Sequence, residues 1–171
     1  KTVAEAQAAV RGATEICVAG SRLFAHRSIF DKLVEGVASH AQHWAPGPSL
    51  DAGTRMGPLV SDEQQRRVMD YIDQGRKAGA SILTGGDACG AEGYYVNPTV
   101  MVDVHPEMSV VREEIFGPVL VAQRYDDLDA VAKAANDTLY GVGARIRTKE
   151  LSNMHRLAAK MSEEVTATLA C

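Results

Sequence analysis

Cys17 stands in the run Ile16-Cys17-Val18-Ala19-Gly20-Ser21-Arg22. A cysteine is well suited to attack a carbonyl carbon, because its thiolate is accessible near neutral pH. Small residues follow it, so the backbone can turn tightly and admit a substrate. The segment also leads into a predicted strand, and α/β folds build sites at strand mouths. Against this, a lone cysteine among apolar residues is more often a small inert core residue. A second candidate is Glu113-Glu114-Ile115-Phe116-Gly117-Pro118. Paired carboxylates are usually a solvated face. A carboxylate followed two residues later by an exposed aromatic can instead hold a ribose hydroxyl and stack on a ring.

The remaining chemistry-bearing residues say less. His40 and His43 lie three apart beside Trp44, with no third ligand of known position. A solvated helix end is the plainer reading, and no metal is expected. His26, His105 and His155 are scattered, and no Ser-His-Asp triad is assigned. Gly85, Gly86, Gly90 and Gly93 do not form a G-x-G-x-x-G fingerprint, and no capped helix opens behind them. A hairpin or surface loop is expected there. With no Walker loop either, the chain shows no nucleotide-binding half of its own. The three cysteines, at 17, 89 and 171, lack C-x-x-C spacing. That argues against a disulfide framework and a structural zinc, and makes a reducing, cytoplasmic setting the default.

These candidates need elements to carry them. Residues 1–11 read as a helix ended by Gly12. A short strand is expected over 21–25. Ile29, Phe30, Leu33, Val34, Val37, Ala38, Ala41 and Trp44 then give an amphipathic helix over 28–44. Prolines and glycines make 45–60 the longest loop. Ser61 with Gln64 reads as a capping box, opening a helix whose stripe is Val68, Met69 and Ile72 and whose stop is Gly79. Ser81–Thr84 reads as a buried strand, and 99–104 and 118–123 as β-rich runs. Asp126 is expected to cap a helix carrying Leu128, Val131, Ala132 and Ala135. A strand over 141–147 follows. Thr148 is expected to cap a last helix with Leu151, Met154, Leu157, Ala158 and Met161 inward, before a final strand over Val165–Leu169. Alternating strands and helices predict an α/β fold with a largely parallel sheet and flanking helices.

The chain has 171 residues, 46% hydrophobic and 23% charged, with a formal net charge of −4. That is ordinary globular composition, enough for one domain with a real core. The acidic balance disfavours nucleic acid as a partner. Apolar runs fall far below the ~18 residues of a membrane span, and the first residues do not read as a signal peptide.

Five motifs stand together in order and spacing: Cys17-Val18-Ala19-Gly20-Ser21-Arg22, Gly57-Pro58-Leu59, Gly93-Tyr94-Tyr95-Val96-Asn97-Pro98-Thr99, Glu113-Glu114-Ile115-Phe116-Gly117-Pro118 and Asn136-Asp137-Thr138-Leu139-Tyr140-Gly141. In this the chain resembles the NAD(P)-dependent aldehyde dehydrogenase superfamily over about 16–161, with a phenylacetaldehyde-type bacterial flavour. The resemblance implies that Cys17 attacks an aldehyde to give a thiohemiacetal. Hydride then passes to the nicotinamide of NAD or NADP, and a thioester is hydrolysed. It implies that the Cys17 N–H is half of an oxyanion hole. Glu114 would bind the nicotinamide-side ribose, Phe116 would pack near it, and Ile16 and Val18 would line the substrate tunnel.

The resemblance further implies an excised, single catalytic domain over 1–171. The dinucleotide-binding domain, the general-base glutamate of E-L-G-G, the second oxyanion-hole residue and the oligomerisation strand would all be absent. Thr14 and Glu15 replace a usual Gly-Gln, Arg147 a common Trp, and Val165-Thr166-Ala167-Thr168-Leu169 a usual Thr-Val-Trp-Val-Asn. Such changes read as engineered polishing of bared surfaces. The expectation is a monomer with little activity alone and with no cofactor bound. The alternatives are a non-catalytic scaffold and a weak thiol esterase.

Overall fold

The structure, a computed structural model, describes residues 19–90, 92–140 and 143–162 and the backbone of the strand Val165–Leu169. The helix expected over 1–11, together with Ile16, Cys17 and Val18, lies outside the described residues.

Four strands form the central sheet. They are β1 (Arg22–His26), β2 (Ser81–Thr84), β5 (Thr99–Val102) and β6 (Val119–Tyr125), in the order β1-β6-β5-β2. β6 is parallel to both β1 and β5, and β2 is antiparallel to β5. The largely parallel α/β expectation therefore holds. β5 and the first four residues of β6 are buried on both faces, which is why they read as continuous β-branched and apolar runs rather than alternating ones. β2 corrects the expectation of a buried strand: it lies at the sheet edge, and Leu83 is 43% exposed.

Helix α1 (Arg27–Ala41) covers one face. Phe30, Leu33, Val34, Val37 and Ala41 pack there on Ala25, Val100, Val102, Leu120 and Ala122. The predicted helix runs on only as a 3-10 turn, Gln42–Trp44. Beside it Trp44 Nε1 donates to His40 Nε2 at 3.0 Å, and His43 Nδ1 sits 2.9 Å from the Ser39 carbonyl. The loop that follows closes on itself, with the Gly47 N–H donating to the Met56 carbonyl at 2.9 Å.

Helix α2 (Asp62–Lys77) and the short helix α3 (Ser109–Arg112) cover the other face. Val68, Ile72, Val110, Val111 and Ile115 pack there on Met101, Val119 and Val121. Ser61 caps α2 as expected, accepting from the Gln64 N–H at 3.1 Å. Its end is a Schellman motif: the Gly79 N–H bonds the Arg76 carbonyl and the Ala80 N–H bonds the Gly75 carbonyl. Gly79 takes φ 102°, which a side chain would disfavour.

The loop expected over 85–95 contains a ribbon of β3 (Ala88–Cys89) and β4 (Tyr95–Val96). Its glycines serve that ribbon. A Cβ on Gly85 would lie 2.3 Å from the Pro98 carbonyl oxygen, and the Gly86 N–H is taken by the buried Thr99 hydroxyl.

Helix α4 (Leu128–Asn136) is capped by Asp127, not Asp126. Asp127 accepts from the N–H groups of Asp129 and Ala130, while Asp126 is drawn off by Arg27. Strand β7 (Ala144–Thr148) pairs in parallel with β8 (Val165–Leu169), and residues 141 and 142 of the expected strand lie outside the described residues. Helix α5 (Leu151–Ala158) starts later than expected, because the Thr148 hydroxyl accepts from Glu150 and closes a turn before the helix. Leu151 is exposed, correcting its inward placement, while Met154, Leu157, Ala158 and Met161 are half-buried.

Candidate functional site

β1 and β6 are adjacent and parallel, and the Val121 N–H donates to the Ser21 carbonyl at 2.8 Å. The segments leading into them therefore meet the sheet at the same edge. One is the run after Cys17, four residues ahead of Ser21. The other is the 113–118 turn, which ends just before Val119. The 113–118 turn precedes β6, so it stands at the amino edge of the sheet and not at the carboxyl mouth where open α/β sheets usually bind ligands.

The turn begins where α3 ends. Glu113 is extended, with φ −108° and ψ 155°. Ile115 drops into the core beside α2. Phe116 then takes φ 59°, a left-handed conformation that costs a non-glycine residue about 1–2 kcal/mol. The residue is left 36% exposed. Gly117 is buried under α2, and a Cβ there would lie 2.5 Å from Val68 Cγ2.

Three side chains of α2 hold this turn. Gln64 Nε2 donates to the Phe116 carbonyl at 2.7 Å and to the Ile115 carbonyl at 3.3 Å. Arg67 Nη2 donates to the Glu114 carbonyl at 3.0 Å. The Tyr71 hydroxyl donates to Glu113 Oε2 at 2.7 Å. Gln64 thus completes only half of the expected capping box, since its side chain goes to the turn. Burial, then the hydrogen bond to Glu113 and that residue's charge, push the Tyr71 phenol above its usual range, with Tyr140 adding to the rise and Arg67 opposing it.

The paired carboxylates therefore have different fates. Glu113 is occupied by Tyr71. Glu114 is half-buried, and among the described residues no side chain or N–H pairs with its carboxylate. Residue type alone does not distinguish these two glutamates. Gln64, Arg67 and Tyr71 were missed as contributors, although their spacing of three and four places them on one helix face beside Val68 and Ile72.

Other motifs brace the surroundings. Arg22 donates to the Ala134 and Ala135 carbonyls at 3.3 and 3.0 Å, tying β1 to the end of α4. Asn136 donates to the Lys160 carbonyl and accepts from Ser162. Arg112, next to Glu113, reaches Glu107 and Asp137. Cys89 lies half-buried in the β3–β4 ribbon, where burial pushes its thiol up.

The family profile described as "Aldehyde dehydrogenase family" matches residues 2–166. The chain belongs to the aldehyde dehydrogenase family. It is 42% identical to the mitochondrial aldehyde dehydrogenase of Leishmania tarentolae over 148 residues, 86% of this chain and 30% of that protein. It is also 42% identical to a putative aldehyde dehydrogenase of Bacillus subtilis, again over 86% of this chain and 30% of the relative. Among solved structures, the aldehyde dehydrogenase KauB from Pseudomonas aeruginosa superposes with a TM-score of 0.93 at 38% identity, covering 98% of this chain and 35% of that one. An NAD+ complex of the Bacillus cereus aldehyde dehydrogenase gives 0.90 at 37%, covering 96% and 34%. The chain thus spans about 30% of the length of the curated aldehyde dehydrogenases it matches. No helix among the described residues is long and apolar enough to cross a membrane.

The residues present fit part of the family's cofactor. An unpaired carboxylate is an acceptor for a ribose diol, and an exposed ring beside it offers a flat apolar surface. In the glycine-rich segment, the Gly86 N–H is committed to Thr99 and so is not offered to a phosphate.

Proposed function

We propose that these residues form the cysteine-bearing catalytic part of an NAD(P)-dependent aldehyde dehydrogenase that converts an aldehyde to a carboxylic acid. Cys17 is the nucleophile. Its thiolate forms a bond to the carbonyl carbon, and the carbonyl oxygen takes up the negative charge beside the Cys17 N–H. When bound, NAD(P) supplies the acceptor for the hydride. Water then cleaves the acyl–sulfur bond, giving the acid and returning the thiol. Ile16 and Val18 line the path of the aldehyde. Glu114 accepts from the hydroxyls of the nicotinamide-side ribose, and Phe116 packs beside it.

The observation that carries this reading is the free Glu114 carboxylate next to the exposed Phe116 ring, in a turn whose carbonyls are otherwise held by α2. The entry of β1 and β6 at one sheet edge supports the proximity of Cys17.

The test is iodoacetamide labelling across pH with peptide mapping. An unperturbed thiol has a pKa of about 8.5, and burial raises that of Cys89. Cys17 is expected to label before Cys89 at pH 8. If Cys89 and Cys171 label fully while Cys17 stays untouched at pH 9, Cys17 is an inert core thiol. A non-catalytic scaffold then replaces this reading.

A further inference from the structure

Helix α1 is capped by an imidazole. The other side-chain caps among the described residues are the Ser61 hydroxyl on α2 and the Asp127 carboxylate on α4. Hydroxyls and carboxylates do not ordinarily change charge between pH 5 and 8, whereas an imidazole does. His26 Nδ1 accepts from the Ser28 N–H at 3.2 Å and lies 2.8 Å from the Ser28 hydroxyl oxygen. Accepting at Nδ1 requires the neutral ring, with its proton on Nε2. We propose that His26 is a pH-operated switch at the junction of β1 and α1: neutral, it closes the first turn of the helix, and protonated, it releases that turn.

The first turn depends on this bond. It holds no acidic residue, and it begins with Arg27, a cation where the helix dipole favours an anion. An imidazolium at 26 has no lone pair for the Ser28 N–H and adds a second positive charge to the same helix end. The charges around it do not replace the cap. Asp126, after β6, is taken by Arg27. Arg124 of β6 pairs with Asp31 of α1 at 2.9 Å and approaches Asp103, beyond β5, at 3.9 Å. Tyr125, opposite His26 in the register of β1 and β6, meets the imidazole edge-on with ring centres 5.5 Å apart. Burial pushes its phenol up, so it stays neutral throughout the imidazole's range. The release is confined to one turn. Ile29, within it, is 46% exposed, whereas Phe30 is 2% exposed, packs with Ala25, Val102 and Ala122, and lies 4.5 Å beneath the Arg124 guanidinium.

The experiment is NMR of the whole chain between pH 8 and pH 5. The nitrogen shifts of His26 report which ring atom carries the proton, and the α-carbon shifts of 27–29 report the helicity of the first turn. The first turn of α2, capped by Ser61, is the internal control. At pH 8, Nδ1 is expected to be unprotonated. As the ring gains its second proton, the open population of the α1 turn should rise about fivefold while α2 holds, the size of one lost cap. In His26→Asn, which caps without titrating, the α1 turn should stay closed at both pH values. In His26→Leu it should be open at both. The proposal is overturned if Nδ1 carries the proton at pH 8. It is also overturned if the α1 turn changes no more than the α2 turn, or if His26→Asn opens with falling pH as the parent does. The first two readings need only the parent chain, so they decide the matter even where a variant fails to fold.

Discussion

Gly117→Ala is the sharpest perturbation of this site. The added Cβ would lie 2.5 Å from Val68 Cγ2, 3.2 Å from Cγ1 and 3.5 Å from the Val68 Cβ. Ordinary contact begins near 3.4 Å, so the closest overlap is about 0.9 Å by that difference (3.4 minus 2.5). Val68 cannot step aside cheaply. It is fully buried, sits in the middle of α2 and is β-branched, with one strongly preferred rotamer in a helix. Its neighbours are Ile72, Ile115 and Val119 in the same cluster. Overpacking of this kind costs about 1–3 kcal/mol, a fall in melting temperature of roughly 2–12 °C for a chain this size. The assay is urea and thermal unfolding of the parent, Gly117→Ala, Val68→Ala and the double variant. Val68→Ala alone removes two buried methyl groups and costs about 2 kcal/mol. In the double variant the new methyl occupies the space left by the old ones. Its loss should therefore be at least ~1 kcal/mol smaller than the sum of the single losses. A Gly117→Ala chain within ~0.5 kcal/mol of the parent, or strict additivity in the cycle, refutes the packing argument.

Arg22→Met removes two bonds to the last carbonyls of α4 and should cost about 1–3 kcal/mol, with faster amide exchange in α4 than in β5. The Asp129 carboxyl is held below its usual range by the Lys160 hydrogen bond and charge, with Arg156 assisting. The support it gives the contact between α4 and α5 is therefore present above the unfolded carboxylate's pKa and lost as pH falls through the folded one. NMR titration should show Lys160→Met returning Asp129 towards its ordinary value. Tyr71 titrates above its ordinary value, so the stability it lends is present below the unfolded phenol's pKa and disappears as pH rises through the folded one. An ultraviolet titration of Tyr71→Phe should lack that late step. With only Glu114 and Phe116 assigned to the cofactor within these residues, aldehyde-dependent NADH formation by the 171-residue chain should fall well below the ~10 s⁻¹ typical of enzymes.

Much of the fold is written in local pattern. The β5 and β6 runs announce strands buried on both faces, and the apolar spacing of α1 survives intact over Phe30 to Ala41. Ser61 and Gly79 bound α2 through interactions a few residues long, so the sequence alone locates both ends. One misplacement originates in a distant partner. Asp126 and Asp127 are both able to cap α4, and the choice falls to Asp127 because Arg27, 99 residues away, takes the other. Leu151 lies on the expected stripe of α5, yet no element among the described residues covers it. Nothing in its own helix encodes that exposure.

The site divides in the same way. Its residue types are visible in Glu113-Glu114-Ile115-Phe116-Gly117-Pro118, but its geometry is not, because that segment is half of an object whose other half is α2. Gly117 has to be glycine because Val68 presses on it, and Phe116 can stay left-handed because Gln64 bonds across it. Glu114 is free because Tyr71 has taken Glu113. Each of these facts pairs residues 42 to 52 positions apart. A motif read along the chain therefore supplies the residue types, while the helix that faces it fixes the geometry of the turn that carries them.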